Sequence, residues 1–208
     1  MHPLCPDTEQ STVMTLATDD EIARGEKIRL RRKKLDDAPL DYAWRRDPEL
    51  ARFDAAAPLR SSYSDFLSTF REDVEYPTPF RRVYAIDELG GQHIGNVMYY
   101  NIDDRRKEAE LGITIGDKRF WSRGFGRDAI QTFLRHLFIE GGLQRVYLNT
   151  LDWNVRAQQS FLAAGFLECG TMRRGAHNFI TMEALRETWL ETHPDMNAED
   201  QDQTPGVG

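Results

Sequence analysis

The sequence predicts one mixed α/β domain, with a largely antiparallel central sheet of six to seven strands flanked by helices. Three observations lead there. Two strand-like runs, Arg82 to Asp87 and Gln92 to Ile102, flank Leu89-Gly90-Gly91, a tight-turn signal for a β-hairpin. Two strand-then-helix units follow, 109–115 with 124–140 and 145–151 with 154–164, and two closing strands complete the order. At 208 residues, 40% of them hydrophobic, the chain suits a single domain with a substantial core.

Taken from the N-terminus, residues 1–24 carry few large apolar groups and no period, so they are expected to form an unstructured tail ahead of a domain at 25–192. Glu26 to Lys33 alternates Ile28 and Leu30 with charge and is the predicted first strand. Leu40, Tyr42, Ala43 and Trp44 predict a short helix that ends before Pro48. Ser61-Ser62 supplies a cap for a second helix carrying Phe66, Leu67 and Phe70. Ala109 to Gly116 alternates as a half-buried strand. Ile130, Phe133, Leu134, Leu137 and Phe138 then recur at helical spacing, with Arg127, Asp128, Gln131 and Arg135 off that face. Asn154 opens the next helix as its N-cap, and Gly165 marks its far end. Residues 193–208, with Asp195, Glu199, Asp200 and Asp202 near Pro205 and Gly206, are expected to form an unstructured acidic tail.

The net charge of −7 argues mildly against nucleic acid as a partner and is compatible with a cationic amine. The two cysteines, Cys5 and Cys169, form no motif, so neither a disulfide framework nor a metal site is implied. No stretch approaches the length of a membrane span and the N-terminus has no signal-type apolar region, which makes a cytoplasmic protein the expectation.

The segment richest in chemistry is Trp121-Ser122-Arg123-Gly124-Phe125-Gly126-Arg127, between a strand and an amphipathic helix. A helix start offers free N–H donors and partial positive charge, and glycines let an anion approach the chain closely. Arg123 and Arg127 add formal charge, so the loop reads as a phosphate site. Gly124-Phe-Gly126-Arg-Asp-Ala129 also satisfies a dinucleotide fingerprint. The context disagrees: about 120 residues precede the loop, Gly116 to Phe120 separate it from the strand, and strand 146–151 ends without a ribose-binding carboxylate.

The order of motifs from Gly95 to Met182 resembles the GNAT superfamily of acetyl-coenzyme A-dependent N-acetyltransferases. The residues that carry the resemblance are Ile94-Gly95-Asn96-Val97, Glu110-Leu-Gly-Ile-Thr-Ile115, Trp121 to Ala129, Arg145-Val-Tyr-Leu148, Asn154-Val-Arg-Ala157, and Phe161-Leu-Ala-Ala-Gly165-Phe166. Trp44 to Glu49 and Met182 to Trp189 also look like the branch holding ribosomal-protein alanine and spermidine acetyltransferases. The resemblance implies acetyl-coenzyme A as donor, a primary amine (protein N-terminus, polyamine or other small amine) as acceptor, no metal, and the possibility of a homodimer. It further implies that backbone groups near Ile113, Thr114 and Ile115 hold the acetyl and pantetheine arms. The amides of Arg123, Gly124, Phe125 and Gly126, with Arg127 beside them, would hold the pyrophosphate, and Asn154 would contact the coenzyme arm.

Direct transfer needs a held thioester, a deprotonated amine and stabilisation of the oxyanion, and no serine or cysteine nucleophile. Glu110 is the candidate base, sharing a strand face with Gly112 and Thr114. Phe161 departs from the pattern, because many relatives carry a tyrosine there whose hydroxyl protonates the leaving thiolate. Tyr99, Tyr100 and Tyr147 are other hydroxyl donors, and His177 sits in a late turn. Phe161 also keeps a second reading open: a coenzyme A-binding sensor or scaffold without catalysis.

Overall fold

The computed structural model describes residues 20–194. Cys5 and the acidic run from Asp195 to Asp202 therefore lie outside the described residues. In chain order the elements are β1 (Glu21–Arg24), β2 (Ile28–Arg32), α1 (Ala38–Arg46), α2 (Pro48–Phe53), α3 (Tyr63–Glu75), β3 (Arg81–Glu88), β4 (His93–Asp103), β5 (Glu108–Ile115), α4 (Phe125–Ile139), β6 (Arg145–Leu151), α5 (Val155–Ala163), β7 (Leu167–Arg174), β8 (His177–Leu185) and α6 (Arg186–Thr192). The strands form one sheet in the order β1-β2-β3-β4-β5-β6-β8-β7. Every neighbouring pair is antiparallel except β5 and β6.

Two expectations need correction. The sheet has eight strands rather than six to seven, and the extra one, β1, lies within the 1–24 stretch expected to be unstructured. Four residues are too short to show a period. The strand forms because it pairs with β2, Ile22 and Ala23 pack on the core, and Asp128 on α4 accepts hydrogen bonds from the amides of Glu26, Lys27 and Ile28 in the following turn. Pro48 does stop α1, but it also opens α2 as its first residue, with the Asp47 carboxylate accepting from the amides of Glu49 (2.8 Å) and Leu50 (3.2 Å).

The core lies between the sheet and α4, α5 and α6. Phe133, Phe138, Phe161, Phe166 and Trp189 pack there with Val97, Leu111, Leu148 and Met182, and the Trp189 indole donates to the Ala164 carbonyl at 2.9 Å. Burying side chains of this size contributes roughly 1.5–3 kcal/mol each, so this layer carries most of the stability.

The opposite face, under α1 to α3, is held differently. The Arg31 guanidinium bridges Asp37 (2.7 and 2.9 Å) and Asp87 (2.8 Å), and Lys33 pairs with Asp41 at 2.8 Å. His93 lies between Asp41 (Nε2, 3.2 Å) and Asp87 (Nδ1, 3.5 Å), with the Trp44 ring 5.0 Å away. Burial alone would raise the Asp37 carboxyl, but the Arg31 hydrogen bonds and the nearby Lys33 charge outweigh it and hold it at about 2. Burial would likewise lower the His93 imidazole, yet the hydrogen bond to Asp41 and the Asp87 carboxylate beside it raise it above its ordinary value. α3, capped by Ser62 as the sequence suggests, has no buried residue.

Candidate functional site

The parallel pair β5 and β6 touches only through Glu108–Glu110 against Arg145–Tyr147. Beyond that the strands separate, and a cleft of about 380 Å³ opens between them. β4 continues beside β5 as far as Gly95 opposite Ile115, so only one edge of β5 is left without a ladder. A Cβ at Gly95 would run into the Thr114 carbonyl, which therefore points toward β4. By the alternation of an antiparallel ladder, the peptide groups of Ile113 and Ile115, beyond the last β5–β6 pair at Glu110, face the gap. The three expected residues thus divide. Ile113 presents N–H and C=O to the cleft, Thr114 presents its side chain, and the Ile115 carbonyl is taken by the Trp121 indole at 2.6 Å. Trp121 packs and anchors.

One end of the cleft is the loop ahead of α4. Gly124 adopts φ +86°, a left-handed conformation that suits glycine, and serves as the N-cap without a side-chain cap. Asp128 makes the first backbone bond of α4, to Gly124, so no described residue accepts from the amides of Phe125, Gly126 and Arg127. Gly126 has only the Ile115 side chain near its Cβ position, at 3.7 Å. Arg127 lines the cleft. Arg123 does not; its guanidinium lies over Phe120 and Phe125, and Phe125 itself packs edge-on against Phe120 at 4.8 Å. The Arg123 and Phe125 side chains thus pack on Phe120 away from the cleft, which Gly124, Gly126 and Arg127 line. Lys27 supplies a cation that the sequence did not single out, with its Nζ donating to the Arg123 carbonyl at 3.0 Å. The donor ring, the glycines and the cations suit a pyrophosphate.

At the other end stands Glu110, buried at 8% exposure. One carboxylate oxygen accepts from Asn101 Nδ2 at 2.9 Å and the other from Asn149 Nδ2 at 3.0 Å. Asn101 sits where β4 slips register and holds φ +52°, an uncommon conformation that turns its amide onto Glu110. Thr181 donates to Asn149 Oδ1 at 2.8 Å, which directs the NH₂ of Asn149 at Glu110. Tyr100 lies across the ladder from Glu110. Burial, and then the Glu110 carboxylate, push its phenol well above its ordinary value, so it remains a hydroxyl donor. Gly112 keeps the same face open, because a Cβ there would come within 3.2 Å of Met98 and 3.4 Å of Tyr100.

α5 forms the β6 wall. Asn154 caps it by accepting from the Ala157 amide at 3.3 Å, and lines the cleft at 8% exposure. Phe161 faces the cleft from the core side and packs on Phe166 at 5.7 Å. Across the mouth runs a stack that sequence reasoning missed. The Arg156 guanidinium lies 3.7 Å from the Trp121 ring and 4.8 Å from Phe53, while Phe53 also touches Trp153 at 5.4 Å. Burial lowers the Arg156 pKa with only the Glu49 charge opposing, and no described carboxylate pairs with it.

Of the three other tyrosines considered, Tyr99 packs on Phe133 and Tyr147 lies under Arg145, so only Tyr100 lines the cleft. His177 is exposed on β8 and does not line it. Asn101, Asn149, Arg156, Arg174 and Phe53 escaped the sequence reading because topology alone brings them together. The one available signal was the strand alternation that places Asn149 on the face of Tyr147.

The family model describing an acetyltransferase (GNAT) domain matches residues 27–167. An uncharacterized N-acetyltransferase, p20, of Bacillus licheniformis is 23% identical over 150 residues, spanning 71% of this chain and 83% of that protein. The structure of spermidine N-acetyltransferase from Vibrio cholerae, in complex with coenzyme A and spermine, is similar with a TM-score of 0.70 at 19% identity, covering 78% of this chain and 98% of the other. An aminoglycoside acetyltransferase in complex with coenzyme A and kanamycin is similar with a TM-score of 0.68 at 17% identity, covering 80% and 99%.

Proposed function

We propose, from the premise that this chain belongs to the GNAT acetyltransferase family, that it moves the acetyl group of acetyl-coenzyme A to a primary amine by direct attack in a ternary complex. One observation carries the reading. A single cleft joins free helix amides, the unpaired backbone of Ile113 and the clamped carboxylate of Glu110.

In this reading the pyrophosphate rests on the amides of Phe125, Gly126 and Arg127, with Lys27 and Arg127 supplying charge. The pantetheine arm lies along β5 in the gap and hydrogen-bonds Ile113, and Asn154 flanks it. Glu110 takes a proton from the acceptor ammonium, directly or through a water. The neutral amine nitrogen then attacks the thioester carbonyl and the C–N bond forms; as the intermediate collapses, the C–S bond breaks and the nitrogen gives its second proton to solvent. Phe161 has no proton to give, so the thiolate leaves as such and takes a proton from solvent. The relatives solved with coenzyme A support the choice of donor, and those solved with spermine or kanamycin support an amine acceptor. The second reading, a coenzyme A-binding protein without catalysis, rests on Phe161 alone.

Thiol release from acetyl-coenzyme A over a panel of primary amines tests the reading, alongside calorimetric titration of the coenzyme. Gly124→Val brings a branched side chain to φ +86° and is expected to weaken coenzyme binding at least 10-fold while the protein stays folded. Glu110→Gln is expected to lower kcat with coenzyme binding retained. Tight coenzyme binding with no acceptor-dependent thiol release would favour the non-catalytic reading.

A further inference from the structure

The charges on the acceptor side of the cleft favour one class of amine. Glu110 and Asp54 are the carboxylates that line it. Asp54 closes α2 with the Arg45 charge within electrostatic reach. Against them stands Arg174, the last residue of β7, whose turn into β8 brings its side chain to the cleft. Its guanidinium lies 4.9 Å over the Phe179 ring, and its charge is felt at the Tyr100 phenol beside Glu110. No described carboxylate pairs with it, although Glu183 on the neighbouring strand and Glu108 on β5 are both claimed by Arg145. The ring beneath Arg174 supports one face of the guanidinium and leaves its N–H edge for a ligand.

A polycation meets this wall badly, because a second ammonium near Arg174 is repelled. An amine that also carries an anionic oxygen group satisfies both ends. We infer that the acceptor is such an amine: its nitrogen at Glu110, and a carboxylate or phosphate paired with Arg174 in the forked geometry that guanidinium offers. This inference rests on the acetyl-transfer reading of the same cleft and narrows it.

The experiment uses the full chain with acetyl-coenzyme A and thiol release as readout. The acceptors are ω-amino carboxylates of two to five carbons, 2-aminoethyl phosphate, the matching neutral amides, and spermidine. The best anionic amine is expected to exceed its neutral amide by about 10-fold or more in kcat/KM, as a charged hydrogen bond implies, with spermidine below both. Carboxylate and phosphate arms tell the two anions apart. In Arg174→Gln the ratio of anionic acceptor to amide falls toward 1, Arg174→Lys restores part of it, and Arg174→Glu inverts the order in favour of spermidine. Thermal denaturation checks that each variant is folded. Wild-type preference for spermidine or the neutral amides, or a ratio unmoved in Arg174→Gln and Arg174→Glu, overturns the inference and leaves acetyl transfer standing. Release with no acceptor in the panel, despite bound coenzyme, overturns the acetyl-transfer reading and the inference with it.

Discussion

Arg31 is the side chain on which the layer of α1 to α3 depends most, and Arg31→Met removes its charge while keeping much of its length. The guanidinium makes two bonds to Asp37 and one to Asp87, and its side chain is 9% exposed. Removing it leaves two buried carboxylates short of a counter-charge, a change that costs about 3–5 kcal/mol. The Asp37 carboxyl gives an independent figure. The gap between its ordinary value of 3.8 and its folded value of about 2 corresponds to roughly 2 kcal/mol of stability at neutral pH. The sign follows from the depressed value: this contribution is present above about pH 4 and disappears as the pH falls through about 2. Urea denaturation at pH 7, 4 and 2.5 should therefore show a wild-type advantage of several kcal/mol that shrinks across the two acidic points. A loss below about 1 kcal/mol at pH 7, or an equal loss at all three, would refute the view that this pairing holds the layer down.

His93, raised by Asp41 and Asp87 against its burial, has the opposite sign. Its contribution is full below 6.5, its ordinary value, and is lost as the pH climbs through the raised folded value. Denaturation between pH 5.5 and 8.5 should show that decline, and His93→Gln should flatten it. Asn149→Ala removes a charge-assisted bond to Glu110 and is expected to lower kcat about 10-fold or more with coenzyme binding retained. Thr181→Val should do the same more weakly and Thr181→Ser should recover it, whereas an unchanged kcat in Asn149→Ala would assign the base elsewhere. Phe161→Tyr places a hydroxyl on a ring that packs against Phe166. Turnover is expected to stay flat or fall with a stability loss of about 1–3 kcal/mol, and a several-fold rise in kcat at unchanged stability would mean that wild-type turnover is limited by a missing acid.

The core strands and α4 were legible because each buries one face and its sequence carries the matching period, as at Ile130, Phe133, Leu134 and Leu137, whereas α3, which buries no residue, was legible from its Ser62 cap. The alternation of β2 was legible too, but its meaning was not. Period two says that Arg31 lies opposite Leu30, not whether that side is wet, and Arg31 proves 7% exposed, between Asp87 of β3 and Asp37 just ahead of α1. β1 and α2 escaped because four and six residues are shorter than the patterns that would reveal them. The loop proposed to hold the pyrophosphate was readable as a contiguous motif, Trp121 to Arg127. Glu110 was readable from its strand, but its two amide partners come from opposite neighbours, Asn101 nine positions away and Asn149 thirty-nine, and no local pattern links them.

The gap between β5 and β6 also sets how the molecule comes apart. Among the described residues, the ladder pairs joining β1–β5 to β6–β8 are the three at Glu108, Ala109 and Glu110, so the sheet is two smaller sheets joined along one short seam. Such halves open as separate cooperative units when the seam is weak. A ligand lying in the gap and bonding the free edge of β5 would act as the missing strand. At a hundredfold excess over its Kd it would add about 2.7 kcal/mol. The Ile113 amide proton, beyond the last ladder pair, should then exchange freely in the unliganded protein and slow when acetyl-coenzyme A is present, so that substrate completes the architecture as well as the reaction.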